Sequence, residues 1–114
     1  MVISIVMEIS NALLALNALS QETRLKVFRK LVEFGPNGAN AGDLARELGL
    51  KPNTLSFHLS HLESAGLLAS NRFGRNIAYC VNRLQMNALM DFLNENCCAR
   101  DEKIACLTNP QTAC

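Results

Sequence analysis

Tryptophan is absent from the 114 residues, and aromatic side chains make up only 5% of them. A core must therefore be assembled from Leu, Ile, Val, Ala and Met, a set that favours helices. No sign of charge dominates. Eleven Lys and Arg face ten Asp and Glu, leaving +1 at neutral pH, which excludes a polybasic arm or a histone-like wrapper. No apolar stretch approaches the roughly 18–20 residues of a membrane-spanning helix. No Lys or Arg precedes Arg24, so the apolar opening Met1–Ile9 lacks the basic start of a secretory signal. A cytoplasmic chain is expected. The length leaves room for one domain and not for separate cofactor and substrate domains.

At 49% hydrophobic and 18% charged, the chain is too apolar to be disordered. Its near-neutral total conceals an asymmetry. Residues 51–83 carry Lys51, Arg72, Arg75 and Arg83 against Glu63, a local +3, whereas residues 84–114 sum to −2.

Ser10–Leu19, with Leu13, Leu14, Leu16 and several alanines, reads as a short helix. A second follows Ser20 as N-cap, with Glu22 in its first turn and Leu25, Phe28, Leu31 and Val32 at helical spacing, and stops at Gly35-Pro36. Asn40 to Asp43 resembles a capping box opening a helix with Leu44, Ala45 and Leu48 inward, and Gly49 ends it. Pro52 then suits a first helical position, and Leu55, Leu59 and Leu62 continue an apolar stripe toward Gly66. Two short helices across a tight turn make a helix-turn-helix. From Leu67 to Val81 the period becomes two, with Arg72-Phe73-Gly74-Arg75 as the tip of a β-hairpin. A last helix starts at Asn82 and carries Met86, Leu89, Met90 and Leu93 on one face toward Cys97. The expected fold class is mainly α with a β-hairpin: a winged helix-turn-helix. Residues 1–96 are expected to form that domain, and 97–114 a cysteine-rich extension.

An α-helix suits the major groove, and residues near its N-terminus reach base edges. On the helix from Pro52, the expected DNA contacts are Asn53, Thr54, Ser56, Phe57, His58 and Ser60. Asn pairs with adenine, hydroxyls suit bases or phosphates, and Phe57 suits a thymine methyl or a packing role against the wing. Arg72 and Arg75 at the hairpin tip suit phosphates or a minor groove.

Gly42-Asp-Leu-Ala-Arg-Glu-Leu-Gly-Leu50, Ser56-Phe-His-Leu-Ser-His-Leu-Glu-Ser-Ala-Gly-Leu-Leu68, Gly74-Arg75 and Tyr79, preceded by Thr23-Arg-Leu-Lys-Val-Phe28, resemble the ArsR/SmtB family of metal-sensing repressors. The likeness spans roughly residues 15–95. It implies a homodimer joined by the first and last helices, an inverted-repeat operator in double-stranded DNA, and repression of transcription. It also implies that Asn53, Thr54, Ser56 and His58 lie on the recognition helix. Lys51 stands where many members have a capping Ser.

Five cysteines occur, and Cys97, Cys98, Cys106 and Cys114 crowd the last eighteen residues. In a reducing compartment such a cluster points to a thiolate site or redox sensor more than to a disulfide framework. The family's Cys-x-Cys site on the first helix of the motif is missing, and residues 82–96 hold no His for its zinc site on the last helix. Cys97, Cys98 and Cys106 resemble the ligands of arsenic-responsive members with an adjacent pair plus a third Cys. The expected inducer is trivalent arsenic, as arsenite or methylarsenite, or antimony. Soft thiolates select such ions, and arsenite takes three sulfurs in a pyramid.

Adjacent side chains on a helix point about 100° apart, so Cys97 and Cys98 can hold one ion only if the helix frays, which Asn94 and Asn96 favour. Arg100 and Lys103 favour the thiolates, whereas Asp101 and Glu102 oppose them. Alternatives stay open: another thiophilic metal, thiol redox or sulfane sulfur sensing, Cys114 as third ligand, or buried structural cysteines. Cys80 is expected to be a strand residue without a ligand role. No phosphate-cradling loop, flanking His or Gly-rich motif accompanies the pair, so no enzyme and no organic cofactor are expected.

Overall fold

A computed structural model describes residues 7–100. Along the chain run α1 (Ile9–Leu19), α2 (Glu22–Phe34), a 3₁₀ turn (Gly35–Asn37), β1 (Ala39–Asn40), α3 (Ala41–Leu48), α4 (Pro52–Ser64), β2 (Leu68–Phe73), β3 (Asn76–Val81) and α5 (Arg83–Asn94). The strands form an antiparallel sheet in the order β1-β3-β2. This is the winged helix-turn-helix that the residue pattern implied, with one strand more.

The punctuation explains most boundaries. Asn40 Oδ1 accepts from Asp43 N at 2.8 Å, capping α3 as its sequence indicates. Gly49 closes α3 in the left-handed region, its N–H donating to the Ala45 carbonyl, a conformation other residues take only at a cost. Pro52 supplies a preset φ in the first turn of α4, and Lys51 makes no side-chain cap there. The α2 cap is a correction. Ser20 does not serve it, because its hydroxyl donates to the Asn17 carbonyl at the end of α1 (2.7 Å), and Gln21 Oε1 accepts from Arg24 N instead.

The core gathers Val27 and Leu31 of α2, Leu44 of α3, Leu55, Leu59 and Leu62 of α4, and Leu67 before β2, all essentially without solvent contact. Helix α1 joins it through alanine: Ala12, Ala15 and Ala18 are buried, whereas Ile9, Leu13, Leu14 and Leu16 face outward. Methyl-sized side chains at this spacing place one face of α1 at short range from its neighbours α2, α4 and α5. Two expected inward positions on α2, Leu25 and Val32, are instead exposed, Val27 taking the seam with Phe28 and Leu31. On α5 the inward residues are Ala88 and Leu89, and Met90 and Leu93 are turned out.

The wing is tied to α4 by Ser70 Oγ, which donates to Glu63 Oε2 at 2.6 Å, and its open end is closed by Asn82 N donating to the Leu67 carbonyl at 2.8 Å. Gly38 makes the third strand possible. Its φ is +68°, and a Cβ there would collide with the backbone carbonyl of Tyr79, the residue facing Ala39 across the β1–β3 ladder. Gly38→Ala is expected to lower unfolding free energy by about 1–3 kcal/mol, read as a lower urea midpoint at unchanged slope. Gly35→Ala, where a Cβ meets nothing within 4 Å, should cost less than Gly38→Ala.

Candidate nucleic-acid interface

Helix α4 divides cleanly. Leu55, His58, Leu59 and Leu62 are buried, whereas Asn53, Thr54, Ser56, Phe57 and Ser60 are exposed. The exposed set starts in the first turn, the part of a recognition helix that reaches base edges. Arg72 and Arg75 are exposed across the hairpin tip, Arg72 opposite Ile77 in the ladder. Ser56 and Arg75 line a common groove of about 500 Å³ with the start of α3 (Asn40, Ala41, Gly42), Arg46, Asn76 and Tyr79. The groove connects the beginning of α3, the recognition face and the wing. Its hydroxyl, amide and guanidinium donors suit the phosphates of a nucleic-acid backbone.

His58 is a correction. Three residues after Leu55 and four before Leu62, it belongs to the inward stripe and is only 9% exposed, so it cannot share the base-reading face. Its Nδ1 is buried without a hydrogen-bond partner. Burial, then the positive charges of Arg24 and His61, hold its pKa below the ordinary histidine value. Phe57 stands edge-on to it, ring centroids 5.8 Å apart, so a residue expected to touch DNA or pack against the wing also shields this imidazole.

Sequence reasoning did not single out Gly42, Arg46 or Asn76 in the groove, nor Phe73, which stands exposed between the two wing arginines. The Arg-Phe-Gly-Arg tip was a signal for Phe73. The others depend on β1 drawing the start of α3 alongside β3. Arg46 also pairs with Asp43 one turn earlier on α3.

Helix α5 stops at Asn94. The backbone continues through single turns, Cys97 N donating to the Asn94 carbonyl and Ala99 N to the Asn96 carbonyl, both at 3.0 Å. Asn96 (φ 61°) and Cys98 (φ 59°) are left-handed. This conformation is cheap for Asn and strained for Cys. Leaving the helix brings Cys97 Sγ and Cys98 Sγ to 3.7 Å. Two thiolates at about 2.3 Å from one tetrahedral metal would stand about 3.8 Å apart, so the pair has the bite of a chelate. At this distance the two are not bonded to each other. Cys98 is nevertheless disulfide-bonded. Cys106 and Cys114 lie outside the described residues, and among those described no group of three potential metal ligands forms. Cys80 sits half-buried in β3, opposite Ala69.

A helix-turn-helix with a basic wing, a free polar face on its second helix and a groove joining the two defines a DNA-binding regulator. A family model described as a helix-turn-helix domain matches residues 19–71. The chain is 32% identical over 83 residues to the HTH-type transcriptional regulator YgaV of Escherichia coli, covering 73% of this chain and 82% of that protein. An ArsR-like transcriptional regulator from Rhodococcus superposes with a TM-score of 0.70 at 25% identity, over 92% of this chain and 96% of that one. The structure of the AntR antimony-specific transcriptional repressor matches with a TM-score of 0.60 at 26% identity, over 80% and 83% of the two chains. The chain belongs to the ArsR family of winged helix-turn-helix transcriptional regulators, a family of DNA-binding proteins and not of enzymes.

The histidine gives a pH prediction. Because its folded pKa is lowered, the unfolded chain binds more protons than the folded one below about pH 6.5. The stability linked to neutral His58 is full above that pH and is lost as pH falls toward the lowered folded value. His58→Leu should flatten the dependence of the urea midpoint between about pH 7.5 and 5 relative to the wild type; equal slopes would count against it.

Proposed function

We propose that the chain acts as a homodimeric repressor in the cytoplasm. It binds an inverted-repeat operator and leaves it when trivalent arsenic or antimony is held by Cys97, Cys98 and Cys106. The observation that carries the reading is the 3.7 Å approach of two adjacent sulfurs just past the end of α5, where a regular helix would hold them apart. Once Cys98 is reduced, two thiolates at that bite suit a thiophilic ion, and hard cations need oxygen ligands. A chain with this fold named as an antimony-specific repressor supports the choice of ion class.

Dimerisation is supported by the apolar residues left outside. Ile9, Leu13 and Leu16 recur at helical spacing on the outer face of α1, and Met90 and Leu93 are exposed on α5, which packs against it. A second copy covering these faces brings two recognition helices into a fixed relation, and half-sites about one helical turn apart then set the tolerance for any rotation. Ligation past α5 shifts that helix, α1 moves with it through the alanine seam, and α4 follows. A coupling of about 1–3 kcal/mol releases DNA about 5- to 150-fold.

The disulfide at Cys98 favours a second reading, in which oxidation of the same thiols, by disulfide formation or by sulfane sulfur, is the signal. Arsenite, antimonyl tartrate and a mild disulfide oxidant, each titrated into the reduced protein on its operator, separate the two. Cys97→Ser, Cys98→Ser and Cys106→Ser should each abolish release by the metalloid while leaving basal DNA affinity within about two-fold. Release by the oxidant alone would transfer the function to redox sensing, and unchanged metalloid release in all three variants would remove the site assignment. Retention of release in Cys106→Ser only would mark a two-thiolate methylarsenite site.

A further inference from the structure

An exposed apolar side chain standing alone is common on protein surfaces; Phe73 differs in where it stands. It is the last residue of β2, 66% exposed, followed at once by Gly74 in the left-handed region and by Arg75, and preceded by Arg72. The positive φ of Gly74 keeps the turn to two residues, so Phe73 faces Asn76 directly across the ladder. Alternation along β2 sets the two side chains apart. Arg72 lies on the face of Ser70, which is bonded to Glu63 of α4, whereas Phe73 lies on the opposite face with Asn71. The ring therefore looks away from the recognition helix, and its neighbours along the chain, Arg72 and Arg75, carry guanidinium groups attracted to phosphate.

We infer that Phe73 is an apolar wedge for duplex DNA: with Arg72 and Arg75 holding the wing in the minor groove, its ring enters a base step flanking the sequence read by α4 and partly unstacks it. The inference rests on the operator-binding reading above. Minor-groove proteins insert Phe, Leu or Ile between base steps in this way, bending the duplex toward the major groove. Pyrimidine–purine steps yield most easily. The wing thereby adds sequence preference at a position that no hydrogen-bonding side chain reads. The arginines and the ring contribute differently: guanidinium–phosphate contacts depend on salt, and insertion of an uncharged ring does not.

The test uses a duplex enriched from a random-sequence pool by the wild-type chain, with 2-aminopurine placed in turn at each step beside the half-site. Wild-type protein should raise 2-aminopurine fluorescence at one flanking step. Phe73→Ala should abolish that rise and weaken binding about 5- to 100-fold, the range for losing one base–aromatic contact, with the salt slope unchanged. Phe73→Trp should retain affinity within about three-fold of wild type. Arg72→Ala and Arg75→Ala should each flatten the salt slope by about one. Phe73→Ala binding with wild-type affinity and wild-type fluorescence would overturn the wedge and leave operator binding standing. A wild-type chain that enriches no duplex would overturn operator binding, and the wedge with it.

Discussion

The structure depends on one helix meeting two opposed demands. Helix α4 has thirteen residues, and it must be held firmly while most of them stay exposed. Leu55, Leu59 and Leu62 meet the first demand, each fully buried against Val27, Leu31, Leu44 and Leu67. At about 1.5–3 kcal/mol for each buried leucine, that seam outweighs the weak start of the helix, where Lys51 makes no cap and Pro52 only presets the backbone. The polar face contributes nothing to the core, so its residues are free to be chosen for what they touch outside. The wing inherits its placement from the same helix, through Glu63 and Ser70.

The boundaries were legible because they are written in residues with local chemistry. Asn40, Gly49, Pro52 and Gly74 act through their own φ or their own side-chain oxygen, and each does so at the expected place. What was hidden involved competition or distance. Ser20 and Gln21 both suit a cap, and only packing at the α1–α2 turn decides that the serine turns back to Asn17. The interleaved Ala and Leu of α1 specify a helix but not which face goes in. Strand β1 is two residues long, below any periodicity, and exists because Gly38 permits close approach to Tyr79. His58 had the chemistry of a DNA contact and the spacing of a core residue; spacing won. The exposed polar residues of α4 and the adjacent cysteines were visible as residue types, whereas the groove joining Ser56, Arg46 and Arg75 needed the fold.

Phe73 and His58 mark the two ways such a surface departs from simple patterning. One is a large apolar group kept in solvent, the other a polar ring kept out of it. Neither helps stability: the exposed phenyl gains no burial, and the imidazole leaves a nitrogen unsatisfied, at about 1–3 kcal/mol for a buried polar group without a partner. Departures of this kind concentrate where a protein does something beyond folding. Both lie on the elements, α4 and the wing, that face the proposed DNA.

The arrangement of helices also bears on how the proposed thiol site and the proposed DNA face, lying on different elements, would communicate. Helix α5 touches α1, and α1 touches α4, so the path has one intermediate. That intermediate packs through Ala12, Ala15 and Ala18, side chains with no χ rotamers to absorb a displacement. A leucine-lined contact can accommodate a shift by changing rotamers, whereas an alanine-lined one passes it on as rigid-body motion, because close-packed interiors transmit strain. The leucines of α1 are thereby left on the outside, where the second copy of the proposed dimer would cover them. The same choice of small residues inside and large ones outside would thus stiffen the proposed path within one protomer and supply the apolar surface of the proposed dimer.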